Sequence, residues 1–172
     1  GKGSVKSFFG TGYWQRVRER PVPLVLAALL LFGPAALSVV WALQDPGAAS
    51  GVVPGALRSV TEERSGSNDL GLSAGKQAEF SSAIFTNNIR VTILAFAAGI
   101  LVCLGTAFVL VFNGVTLGAI GGLSIGAGNG ERLLVLITPH GVLELSCIVV
   151  AAAAGLRMGW AIVVPGTRSR AQ

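Results

Sequence analysis

The stretch Leu133-Leu-Val-Leu-Ile-Thr-Pro-His140-Gly-Val-Leu-Glu144-Leu-Ser-Cys-Ile-Val-Val-Ala-Ala-Ala-Ala-Gly-Leu156 is apolar on both sides of one carboxylate. About 20 such residues suffice to cross a hydrocarbon core as a helix, so the stretch predicts a transmembrane span. A lone carboxylate at its centre costs roughly 2.5–3.5 kcal/mol on insertion scales unless it is partnered or hydrated. His140 precedes Glu144 by four residues, which puts both on one helical face, one turn apart. Pro139 and Gly141 flank the histidine, and Pro139 is expected to break or kink the helix.

The rest of the chain extends this membrane reading. Of 172 residues, 52% are hydrophobic and 12% charged, with a mean hydropathy of +0.69. Soluble domains carry about 25% charged residues, so the composition is that of a bilayer protein. The net charge of +5 comes mostly from basic residues near the chain ends. Flanking apolar runs in that way, they read as topology signals, not as a nucleic-acid surface. Cys103 and Cys147 fall inside apolar segments and read as small packed hydrophobes, not a disulfide pair. A single histidine and unpaired cysteines give no metal-ligand spacing, so neither metal nor cofactor is expected.

Residues 1–21 hold Lys2, Lys6, Arg16, Arg18 and Arg20 with Phe8, Phe9, Tyr13 and Trp14, a basic, aromatic lead-in suited to the membrane interface. The chain starts at Gly1, as a trimmed piece would, and its first apolar run reads as an anchor, not a cleaved signal. That first span covers residues 22–43, with Pro34 inside it. Residues 44–79 are turn-rich and mildly acidic, an extracytoplasmic loop in which Val53 to Arg64 is a candidate short helix. Phe80, Ile84 and Phe85 recur at helical spacing, so 80–90 is a helix lying at the interface or already inside the membrane.

A second span is expected at Val91–Phe112, ended by an Asn113-Gly114 turn. Gly114, Gly118, Gly122 and Gly126 then recur every fourth residue, a smooth face against which another helix, or a second copy, can pack closely. That segment is short for a span. With the last span at 133–156 and a basic tail at 165–172, the expectation is an all-α polytopic bundle of about four spans, one short and glycine-rich and one proline-kinked. Both termini are then cytoplasmic by the positive-inside rule.

Asn87 and Asn88 sit where the second span would begin, either as helix caps or as amides facing His140. Arg90 reads as a snorkelling anchor. Asn113 reads as a turn residue at the far end from that site. The His140/Glu144 pair reads either as a proton- or ion-handling site or as a self-satisfying structural pair.

Taken in order, Asn87-Asn88-Ile89-Arg90-Val91, Phe96-Ala97-Ala98-Gly99-Ile100, Asn113-Gly114 with Leu117-Gly118, and Pro139-His140-Gly141-Val142-Leu143-Glu144 resemble the stage II sporulation protein M family. The resemblance spans about residues 80–165. It implies an integral membrane protein. For the named sporulation member it implies a scaffold that holds peptidoglycan-degrading enzymes at the septum. Family members usually continue into a further span ending in an acidic Glu-Gly motif, so the chain is expected to be a fragment or a shortened member. The leading expectation is a non-enzymatic scaffold or assembly factor for envelope proteins, partnered by the bilayer and by other membrane proteins. The alternative is a small transporter or channel component using His140 and Glu144. No Ser/His/Asp set or carboxylate pair supports a hydrolase. Whether Glu144 is dry or wet separates the first two readings.

Overall fold

The computed structural model describes residues 21–61 and 74–164. They form helices α1 (Val22–Gln44), α2 (Pro46–Ser50), α3 (Ala74–Ala97), α4 (Leu104–Gly126) and α5 (Gly130–Val163), with 3-10 turns at Gly55–Val60 and Ala98–Ile100. No strand occurs among the described residues. Four segments are long and apolar enough to cross a membrane: Val22–Gln44, Ser81–Ile100, Leu104–Gly126 and Gly141–Val163. The chain is an all-α polytopic membrane protein. The N-terminal lead-in, much of the acidic loop and the basic tail lie outside the described residues.

Local chemistry sets the boundaries. α1 runs unbroken through Pro34 and stops at Gln44, because Asp45 precedes Pro46 and a residue before proline is pushed out of the helical region. Asp45 then caps α2, its carboxylate accepting from the Ala48 amide at 3.0 Å, with Pro46 at the first helical position. α4 ends where Gly128 takes a left-handed φ of 74° and its amide reaches the Ile125 carbonyl. Within the acidic loop, the expected helix at Val53 to Arg64 is the 3-10 turn Gly55–Val60, and Arg64 lies outside the described residues.

The span boundaries differ from the sequence expectation in one respect that matters. Asn113-Gly114 is not a turn but the middle of α4, which is 23 residues long, so the glycine-rich span is not short. At 1.5 Å per residue it extends about 34 Å, a full crossing. The chain reverses earlier, at 98–103, where every side chain is apolar and no polar turn signal exists. Val102 and Cys103 take positive φ values of 54° and 69° to make that reversal. The segment 80–90 is part of α3, so Asn87, Asn88 and Arg90 lie well inside a span and not at its start. α5 continues through Pro139, with its most apolar window at Gly141–Val163 and not at Leu133–Leu156.

Two glycine seams hold the bundle. Along α4, a Cβ on Gly114, Gly118 or Gly122 would lie 2.2, 2.1 and 2.6 Å from the carbonyl oxygens of Leu31, Ala35 and Val39. Each pair carries the same offset, so α1 and α4 run parallel, backbone against backbone. Gly126 is different: its nearest neighbour is a Leu43 side-chain carbon at 3.8 Å, an ordinary contact.

The second seam joins the 98–103 reversal to α5. A Cβ on Gly99 would meet the Gly155 carbonyl oxygen at 2.2 Å, and one on Gly159 would meet the Cys103 amide nitrogen at 2.4 Å. Thr106 donates its hydroxyl to the Ala95 carbonyl at 2.7 Å, and the Cys103 thiol donates to the Leu156 carbonyl at 3.1 Å. Both cysteines are free thiols. Buried apolar residues gather in two clusters. One, around Ala42, Val53, Leu57, Ile120 and Leu133, lies at the loop end of the bundle. The other, around Leu31, Ala95, Leu110, Ile148 and Leu156, lies towards the reversal.

Candidate functional site

Between these clusters the helices part around a cavity of about 910 Å³. Three faces supply its walls: Ile84, Asn88 and Val91 of α3, Val109, Asn113, Thr116 and Ile120 of α4, and Leu133, Ile137, Gly141 and Glu144 of α5. Each set repeats at three- or four-residue steps, as one side of a helix must.

Glu144 is half-buried in this cavity and accepts a hydrogen bond from the side-chain amide of Asn88. The pair joins the second and fourth spans. Its sequence offset of 56 is also that of Gly99 and Gly155, so α3 and α5 run parallel and keep one register from seam to site. Within α3 the Thr92 hydroxyl donates to the Asn88 backbone carbonyl at 2.7 Å. A carboxylate offers about four acceptor positions, and the Asn88 amide fills one of them.

The depth of the site follows from helix rise. Arg157 is exposed on α5 between Gly155 and Gly159, level with the reversal, and a charge there marks that end as the membrane boundary. Asn113 lies ten residues beyond Cys103, about 15 Å along the axis, and Glu144 thirteen residues before Arg157, about 20 Å. In a core about 30 Å thick, Asn113 is thus near mid-depth and Glu144 about two-thirds of the way across from that end.

Of the residues proposed from sequence, Asn88, Gly141 and Glu144 line the cavity directly and Asn87 lies on its rim. The side chains of Pro139 and His140 lie outside the described residues, and with them the expected His140/Glu144 contact. Asn113, expected at the opposite end, faces the same cavity as Asn88. The error came from reading Asn-Gly as a turn. Within an unbroken apolar run, with Val109, Thr116 and Ile120 in helical register around it, Asn113 is a wall residue. Arg90, Thr116, Ser81 and Ser82 also line the cavity and were not in the sequence-derived site. The Gly155/Gly159 seam was missed as well, although its four-residue spacing was on view. Among the described residues no group of three His, Cys, Asp or Glu side chains comes together to hold a metal ion.

Four helices long and apolar enough to cross a membrane, around a mostly apolar cavity with a few polar side chains on its wall, define a polytopic membrane protein. The chain belongs to the stage II sporulation protein M family, whose pattern matches residues 28–172 and so takes in the first span as well as the core. An uncharacterised protein of Methanocaldococcus jannaschii is 34% identical over 83 residues, covering 48% of this chain and 47% of that protein. The match thus spans about half the length of that curated relative. No solved structure matches the chain.

Proposed function

We propose that the chain is a binding or transport component that brings a polar group into the bilayer, with Glu144 as its central acceptor. The observation that carries this reading is the position of Glu144, half-buried in a cavity of about 910 Å³ that it shares with Asn88, Asn113 and Thr116. A passive scaffold needs its one intramembrane carboxylate dry and fully paired, since a buried charge without compensation is costly. Here the carboxylate lines open volume, and Asn113 and Thr116 line the same space.

The scaffold reading, with envelope proteins as partners, rests on a different observation. α3 is the least apolar of the four spans, with a mean hydropathy of 1.4, and only 11% of its membrane window is buried, against 39% in α4 and α5. A partner protein lying on α3 would cover it.

Water access to the cavity separates the two. In a chain with Cys103→Ser and Cys147→Ser, a cysteine at Asn113 should react with a small, charged, membrane-impermeant thiol reagent. Restoring Cys147 alone, which is exposed on the lipid-facing side one turn from Glu144, should give no reaction. An inert cysteine at position 113 would leave the cavity dry and the scaffold reading preferred.

A further inference from the structure

Besides its loop end, the cavity has a second opening, on the side. Near its loop end the wall holds the buried apolar residues Val53, Leu57, Ile120 and Leu133 together with the exposed Gly51, Pro54, Ser81 and Ser82. Sideways, between α3 and α4, it is lined by Leu94, Phe108 and Phe112, which are 46%, 71% and 59% exposed. Side chains that line a cavity and also face outward mark its mouth. This side mouth faces the hydrocarbon, and Phe108 stacks on Phe112 beside it at 6.2 Å.

A polar stripe leads to this mouth from the membrane surface. Ser82, Thr86 and Arg90 follow one another at four-residue steps along the outside of α3, and with Ala83 and Asn87 they line a shallow groove. All three, and Asn87, are exposed. Asn87 and Arg90 belong to this groove and to the main cavity at once, so groove and cavity are continuous. Arg90 is ten residues from Ile100, about 15 Å, and so stands near mid-depth. An arginine facing lipid there is unfavourable unless something polar reaches it.

On the reading of the cavity as a binding or transport site, we infer that its ligand is a phospholipid whose headgroup carries an ammonium group. The headgroup follows the Ser82–Thr86–Arg90 stripe into the cavity while its chains stay in the bilayer through the α3/α4 mouth. The two charges select the headgroup. A guanidinium matches phosphate oxygens with paired N–H donors. The Glu144 carboxylate and the Asn113 amide oxygen accept N–H donors, which a primary ammonium supplies and a trimethylammonium lacks. An anionic headgroup would satisfy Arg90 but meet repulsion at Glu144.

Native mass spectrometry of the delipidated full chain, titrated with dioleoyl phosphatidylethanolamine, phosphatidylcholine and phosphatidylglycerol, tests the assignment. Phosphatidylethanolamine should be retained about tenfold better than the other two, the factor for one charge-assisted hydrogen bond. Glu144→Gln keeps an oxygen for Asn88 and should erase the preference. Arg90→Gln, at an exposed position, should weaken all three lipids alike. Equal retention of the three lipids by the parent chain overturns the inference. So does a disulfide between two copies, each carrying only a cysteine at Thr86, since the stripe would then be an interface. If a cysteine at Asn113 is labelled by the water-borne reagent while lipids bind without preference, the lipid assignment alone falls and the cavity reading stands.

Discussion

Asn88 of the second span gives its side-chain amide to Glu144 of the fourth, across a sequence separation of 56. Removing the donor while keeping the acceptor leaves a half-buried carboxylate short of a hydrogen bond, which costs about 1–3 kcal/mol. Asn88→Leu should therefore lower the melting temperature in detergent, and Glu144→Leu should lower it less when Asn88 is already leucine. A double-mutant cycle on melting measures the coupling. Additive effects would mean that the two side chains do not stabilise one another.

The α1/α4 seam makes a graded prediction. Gly118→Ala places a carbon 2.1 Å from a backbone carbonyl oxygen of α1, which cannot move without shifting that helix, so a loss of about 1–3 kcal/mol is expected. Gly126→Ala, with its nearest neighbour at 3.8 Å, should change stability by less than about 0.5 kcal/mol. Thermal melts of the two variants side by side decide it. Equal losses would remove the distinction between the three close glycines and the fourth.

The reversal should respond in the opposite direction. Val102 holds φ at 54°, a region that costs an L-residue about 1–2 kcal/mol and suits a β-branched one least. Val102→Gly should thus raise the melting temperature or leave it unchanged. Leu101→Gly, at an ordinary φ of −83°, should lower it. A fall with Val102→Gly as large as that with Leu101→Gly would place the reversal elsewhere.

Orientation is the last expectation. An even number of crossings puts the start of α1 and the end of α5 on one side. Arg157 at that end and the basic residues before residue 21 favour the cytoplasm for it. In a chain without native cysteines, Glu131→Cys should react with an impermeant reagent on intact cells, and Val164→Cys only after permeabilisation. The reverse pattern would invert the protein.

The membrane fold was legible in the sequence because long apolar runs and flanking charges act one at a time. The carboxylate at Glu144 was legible for the same reason: it is the only acidic residue inside an apolar run. Asn88 was legible as a candidate amide of the same site, but its bond to Glu144 was not. Asn88 is 56 residues away, and the pairing exists only because the Gly99/Gly155 contact sets the register of α3 on α5. His140, one turn from Glu144 on the same helix, is the partner that sequence spacing alone can offer, and its side chain lies outside the described residues. Asn113 failed differently: a dipeptide that makes turns in water is satisfied inside a membrane helix, where its amide faces a cavity and its glycine lies against Leu31.

The two glycine seams also set which helices are locked backbone to backbone. α1 and α4 are zipped from Gly114 to Gly122, and α3 is pinned to α5 at Gly99, with no side-chain layer between the backbones to slide or compress. α3 is thereby held backbone to backbone at one end only, and further along by the Asn88–Glu144 hydrogen bond. Its fulcrum is the Gly99/Gly155 contact, and Asn88 and the Ser82–Arg90 stripe ride on the long arm. A tilt of a few degrees about that point would translate Ser82 more than Asn88, and Asn88 more than Leu94. The aperture between α3 and α4 would widen from the loop end downward while the floor of the cavity stayed still.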